Sequence, residues 1–189
     1  MAEKKRLIIG MSGASGAPLT IELFRQLSCR DDVETHLIIT RSAELTLVQE
    51  TDVSVNEMRA MADVSYNIDS IGAAPASGSF ETAGMIILPC SMKTVAGIAS
   101  GYSDNLLLRA ADVTLKEGRT LVLAARETPL STLHLRNLYE ASRMGAVIMP
   151  PLPEWYRRPG SMEECTRDIV SRMLGRFGFC GERYEWKGI

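Results

Sequence analysis

The sequence is poor in the residues from which metal and redox sites are usually built. It contains two histidines and four cysteines, and Cys29, Cys90, Cys165 and Cys180 are scattered with no C-x-x-C pair. This disfavours a zinc site and a disulfide framework alike, and suits a reducing cytoplasm. There is no basic excess: 21 Lys and Arg against 23 Asp and Glu leave a net charge of -2, so nucleic acid is disfavoured as a partner. No long apolar run follows the short charged lead Met1 to Arg6, so neither a signal peptide nor a membrane span is expected. Internal repeats and low-complexity tracts are missing too. So are the two familiar phosphate signatures, G-x-G-x-x-G and the Walker A loop with its Gly-Lys-Ser/Thr ending.

What the chain has instead is Gly10-Met11-Ser12-Gly13-Ala14-Ser15-Gly16-Ala17-Pro18, a G-x-x-G-x-x-G turn. It follows the apolar run Leu7-Ile8-Ile9 and precedes Leu19 to Leu27, whose apolar positions fit one helix face. Strand, glycine turn and helix in this order aim backbone N–H groups and a positive helix end at an anion. Ser12 and Ser15 add hydroxyls. The turn reads either as a crowded corner with no ligand or as the seat of a mononucleotide phosphate, and the second reading is favoured.

At 189 residues, with 46% hydrophobic and 23% charged positions, the chain reads as one globular domain over residues 1–189, with a tail from about 178. Further strands are expected at Val33–Ile39, Met85–Leu88 (stopped by Pro89), Leu121–Ala125 and Ala146–Met149. Helices are expected from Ser42, as cap, to Glu50; over 94–100 and 105–117 behind a cap at Ser91; over 131–143; and over 162–177. Met58–Met61 is weakly helical, and the Ala/Ser/Gly/Pro-rich stretch Gly72–Gly84 reads as a long functional loop. Short apolar strands alternating with helices imply an α/β fold, a doubly wound parallel sheet in three αβα layers. Polar groups stand at four strand ends: Ser12 and Ser15, Thr40, Ser91 and Thr94, and Arg126-Glu127. All gather along one sheet edge, where such folds bind ligands.

Taken singly, few of these residues are decisive. Arg126-Glu127 is either an ordinary surface ion pair or a charged pair at the crevice mouth. Arg109 and Lys116 lie seven apart on one helix face, which reads equally well as a solvated one. Tyr156 and Arg172 are uninformative alone, His134 reads as a helix-surface residue, and the ten methionines as core filler.

Several motifs in register say more. Gly13-Ala14-Ser15-Gly16-Ala17, Pro89-Cys90-Ser91-Met92-Lys93-Thr94, Arg109-Ala110-Ala111-Asp112-Val113, Leu115-Lys116-Glu117 and Arg126-Glu127-Thr128-Pro129-Leu130 occur in this order. They are followed by His134-Leu135-Arg136-Asn137 and Trp155-Tyr156. The set closely resembles the UbiX/Pad1 flavin prenyltransferases, from about Leu7 to Phe177. The resemblance implies a Rossmann-like (flavodoxin-like) fold, a homo-oligomer, often a dodecamer, and FMN as ligand. It also implies transfer of a dimethylallyl group from dimethylallyl phosphate to N5 and C6 of reduced FMN, for use by a UbiD-type decarboxylase.

By the same resemblance, Gly13, Ala14, Ser15, Thr40, Ser91, Met92, Lys93, Thr94 and Arg126 contact FMN. Arg109, Lys116, Arg126, Tyr156 and Arg172 hold the dimethylallyl phosphate. Glu127 protonates the leaving phosphate, Glu50 is a second carboxylate near the flavin, and Lys116 joins these two as a catalytic residue. Thr40 stands where the family commonly has serine, and Gly118 where it often has arginine. Trp186 is a candidate for a closing lid. Prenyl transfer often uses an aspartate-rich magnesium site; here Asp31-Asp32 is isolated, so no metal is expected. Two other readings stay open: a flavin-dependent cysteine decarboxylase, whose Pro-x-Met-Asn-type motif is replaced here by Pro89-Cys90-Ser91-Met92, and a non-catalytic FMN-binding subunit of a decarboxylase.

Overall fold

Alternate residues of the first strand point to opposite sides, and both sides are apolar. In β1 (Lys5–Met11), Leu7, Ile9 and Met11 join one core while Ile8 joins the other. A strand covered on both faces needs this pattern, and parallel sheets are built from such strands. The computed structural model describes residues 4–179 and Gly188. The other strands are β2 (Val33–Ile39), β3 (Val64–Tyr66), β4 (Gly84–Cys90), β5 (Thr120–Ala125) and β6 (Val147–Ile148). All pair in parallel, in the order β3-β2-β1-β4-β5-β6.

The helices are α1 (Ala17–Leu27), α2 (Arg41–Glu50), α3 (Val55–Ala60), α4 (Met92–Ser100), α5 (Leu106–Lys116), α6 (Thr132–Arg143) and α7 (Met162–Leu174). Leu23, Phe24 and Leu27 of α1, Leu47 of α2, Met58 of α3 and Val170, Met173 and Leu174 of α7 bury against one face. Val95 and Ile98 of α4, Leu107, Ala110 and Ala111 of α5 and Ala141 of α6 bury against the other. The three layers expected from the sequence are therefore present.

From β1 the chain winds outward to β2 and β3, then returns to β4 on the other side of β1. The carboxyl ends of β1 and β4 consequently flank the switch point, where a crevice opens in such sheets. The five strands legible in the sequence, taken alone, run 2-1-3-4-5, the flavodoxin order. The short edge strand β3 extends this to the Rossmann order 3-2-1-4-5-6.

Several expected boundaries shift. Pro89 does not stop β4, which runs to Cys90 with a register irregularity between Ile87 and Cys90 against β5; a proline without an N–H sits in a sheet at such a break. The cap of α2 is Thr40 and not Ser42: Thr40 is extended (φ -78, ψ 154) and its hydroxyl accepts from the Ala43 N–H. The last helix ends at Leu174, and Gly175–Phe177 is a separate 3-10 turn. The 72–84 stretch is fastened to the amino edge of the sheet. Arg119 donates to the carbonyls of Gly78 and Phe80 at 2.7 and 2.8 Å. Trp186 lies outside the described residues.

Candidate active site

Ser12 ends up 1% exposed at the close of β1, and its hydroxyl ties the two strands that flank the switch point. The Ser91 N–H donates to Ser12 Oγ at 2.8 Å, and Ser12 Oγ lies 3.2 Å from the Pro89 carbonyl, to which it donates. Ser91 Oγ in turn accepts from the Thr94 N–H, capping α4, and lies 3.1 Å from Thr94 Oγ1. A line of hydroxyls thus crosses from β1 to the first turn of α4.

Gly13 comes next, and its missing side chain matters. A Cβ there would stand 2.5 Å from both Cβ and Oγ of Ser42, in the first turn of α2. The glycine therefore lets the β1 turn and the α2 amino end touch. On that flank opens a cleft of about 440 Å³, lined among others by Ser12, Thr40, Ser42, Ser91, Lys93, Thr94 and Asn105. Thr40, Ser91 and Asn105 are the caps of α2, α4 and α5, so three helix amino ends converge there. Their aligned peptide dipoles and Lys93 favour an anion. The rim pair Arg41–Asp69, at 2.7 Å, closes the cleft on the β2 side.

The other flank of the turn is built differently from what the sequence suggested. The amino end of α1, expected to face a ligand phosphate, already holds an anion. Glu50, the last residue of α2, accepts the N–H groups of Gly16 and Ala17 on one oxygen, at 2.8 and 2.9 Å. Gly16 offers no side-chain cap of its own, so Glu50 supplies one from outside. Burial pushes the Glu50 carboxyl up, but the Ser15 hydroxyl, the two N–H groups and the Arg126 charge outweigh it, holding its pKa below the usual value. Arg126 leaves the end of β5 and donates through Nε to the Ser15 carbonyl at 3.2 Å. Glu127 follows, exposed, with one oxygen accepting the Thr128 N–H.

The fold thus brings together Gly13, Ala14, Ser15, Thr40, Glu50, Ser91, Lys93, Thr94, Arg126 and Glu127 at one sheet edge. Met92 belongs to the same turn, although its side chain enters the core. Four other residues stand apart. Arg109, one turn into α5, gives its guanidinium to Asp112 at 2.6 Å. Lys116 ends α5, about 16 Å from the capping Asn105 at 1.5 Å per residue, and pairs with Glu117 beside Gly78. Arg172, in the last turn of α7, follows Ser171, which donates to Gln26 near the far end of α1. It pairs with Glu154, which also accepts the Tyr156 hydroxyl at 2.6 Å.

Ser42, Asn105, Asp69 and Glu154 are not marked out by the sequence as site residues. A helix-cap pattern could have flagged Asn105, three residues before Leu108, whose N–H it accepts. Ser42, Asp69 and Glu154 gain their places only from tertiary contacts. Among the described residues, no three His, Cys, Asp or Glu side chains gather as a metal site would need, and no helix is long and apolar enough to cross a membrane.

Comparison with known proteins places this geometry. The sequence model of the Flavoprotein family matches residues 1–178. Flavin prenyltransferase UbiX of Escherichia coli (strain K12) is 51% identical over 173 residues, 92% of this chain and 92% of that protein. A dodecameric FMN-dependent Ubix-like decarboxylase from Escherichia coli O157:H7 superposes with a TM-score of 0.94 at 47% identity, covering 97% of this chain and all (100%) of that one. AnUbiX (PadA1), in complex with FMN and dimethylallyl pyrophosphate, gives 0.92 at 47% identity over 98% of this chain and 100% of its own. The family model over nearly the whole chain and relatives at about half identity agree, and the chain belongs to the flavoprotein family, among its UbiX/Pad1 flavin prenyltransferases.

Proposed function

We propose that the chain transfers a dimethylallyl group from dimethylallyl phosphate to N5 and C6 of reduced FMN, making the prenylated flavin that a UbiD-type decarboxylase uses. The observation that carries this is the convergence of the α2, α4 and α5 amino ends on one cleft at the switch point, with Arg126 on the other flank of the same glycine turn. The donors present there fit FMN. Thr40, Ser42, Ser91, Thr94 and Asn105 suit a phosphate and a polyhydroxyl chain.

Bound reduced FMN supplies the electron-rich ring atoms that accept the allylic carbon. The protein's own task is to make phosphate a good leaving group. Breaking the allylic C–O bond leaves negative charge on phosphate, and preorganised donors at such a charge are worth about 3 kcal/mol each. Arg126 is in place to be one of them, and Glu127 beside it is placed to deliver a proton to the departing oxygen. Trp155 and Tyr156, both exposed in one copy, supply an apolar, π-rich wall once a neighbour covers them.

Arg109, Lys116, Tyr156 and Arg172 complete the site from neighbouring copies. Lys116, at the far end of α5, and Arg172, beside the far end of α1, stand away from the same chain's crevice, and a homo-oligomer, dodecameric as in the Escherichia coli O157:H7 relative, brings them, with Arg109 and Tyr156, to another's. Residues 1–189 act as one domain in this reading. Its place is the cytoplasm, supported by Cys29, Cys90 and Cys165, which are free thiols.

The test is to incubate the purified chain, without any partner, with reduced FMN and dimethylallyl phosphate and to weigh the flavin released on denaturation. A flavin heavier by one isoprene unit is expected. Unchanged FMN would make the protein a carrier subunit, without transferase activity of its own.

A further inference from the structure

Three of the four cations assigned to the donor phosphate carry a carboxylate from their own chain: Asp112 on Arg109, Glu117 on Lys116 and Glu154 on Arg172. The third differs in kind. Asp112 and Glu117 lie on the surface of α5 or just beyond it, and each serves one cation. Glu154 is 17% exposed, and its two oxygens are divided between two groups. Oε2 accepts the Tyr156 hydroxyl at 2.6 Å, and Oε1 meets the Arg172 guanidinium. The segment that carries it is fixed along α7 by a second pair, Arg157–Asp168 at 2.8 Å, both partners largely covered. Glu154 is thus held where the two groups assigned to the phosphate converge.

We propose that Glu154 occupies the place of the donor phosphate in the resting protein, an internal anion that dimethylallyl phosphate must displace. The proposal rests on the assignment of Tyr156 and Arg172 to that phosphate. A carboxylate offers one oxygen to a hydroxyl and another to a guanidinium, as a phosphate does. A bound phosphate cannot take the same two donors while the carboxylate keeps them, and the two like charges repel at such range. Glu154 therefore weakens donor affinity. It leaves the chemical step alone, because it has been displaced before the C–O bond breaks.

Glu154→Gln keeps the shape and loses the charge. Steady-state transfer should show KM for dimethylallyl phosphate about fivefold lower, the worth of one partly exposed ion pair, with kcat and FMN affinity unchanged. Glu154→Ala should shift KM the same way, and Glu154→Asp, which retains the charge, should not. A KM that is unchanged or raised in both neutral variants overturns the proposal; raised KM with lowered kcat would show Glu154 to be a scaffold for the two donors. Tyr156→Phe and Arg172→Gln serve as controls, and each should raise KM. If neither does, the phosphate assignment falls and this proposal with it. If they raise KM while Glu154→Gln fails to lower it, only this proposal falls.

Discussion

Replacing Glu50 by alanine tests how the central turn is held. One carboxylate oxygen receives two backbone N–H groups at the amino end of α1, at 2.8 and 2.9 Å, where the helix has no side-chain cap of its own. Alanine can accept neither of these bonds and brings no charge to the helix dipole. Loss of a cap costs about 1 kcal/mol and loss of the charge at a helix end about 0.5 kcal/mol more. The expected deficit near neutral pH is thus about 1.5 kcal/mol, or about 3–6 °C in Tm for a chain of this size. The pH dependence has a definite sign. Burial raises the Glu50 pKa, but Ser15, Gly16, Ala17 and Arg126 lower it further, and the net shift is downward. A carboxyl depressed in the folded state contributes its full stability above the unfolded value of about 4.3 and loses it as pH falls through the folded value. Urea denaturation at one protomer concentration, near neutral pH and again around pH 3, should show a deficit that shrinks on acidification. Wild-type stability near neutral pH, or a deficit of equal size in acid, would refute the capping role of Glu50.

Gly13→Ala should destabilise by about 1–3 kcal/mol through overpacking on Ser42, and Ser42→Gly should restore most of the loss, since the two atoms at 2.5 Å, Cβ and Oγ of Ser42, are then gone. Equal stability of the single variant by urea denaturation would show that the turn yields more easily than its geometry says. Glu127→Gln should leave FMN bound and slow single-turnover transfer, followed by flavin absorbance, by roughly 10²–10⁴-fold. A variant that reacts at the wild-type rate removes Glu127 from the mechanism. Activity should persist in EDTA if, as proposed, Arg126 and donated cations meet the leaving phosphate; a loss that magnesium restores would sink that view.

Much of this site could be read from the sequence because it depends on local order. Ser12, Ser15, Thr40, Ser91, Thr94 and Arg126 each follow a run of apolar residues, and any residue in that position of a parallel sheet stands at its carboxyl edge. Strand β3 was not legible: three half-buried residues at a sheet edge carry too little periodicity to register. Pro89 misled because its missing N–H ends most central strands, whereas here the register slips around it. Glu50 was placed near the flavin by resemblance, but its capping of α1 joins residues 33 and 34 apart in sequence and leaves no local trace. The same holds for Glu154 on Arg172. The remoteness of Lys116 from Arg126 follows from the lengths of α5 and β5, both legible in the sequence, and it is the ground for the proposed second copy.

The second copy can be tested by co-expressing two differently tagged variants, Arg126→Ala, which spoils the crevice, and Lys116→Ala, which spoils the donated cation, and purifying oligomers that carry both tags. Each variant alone should fail to prenylate reduced FMN. If the crevice of one copy is completed by Lys116 of another, the mixed oligomers regain activity, because a Lys116→Ala crevice can receive an intact lysine from an Arg126→Ala neighbour. Mixed oligomers no more active than either parent would mean that each chain builds its site alone, and the shared crevice would be contradicted.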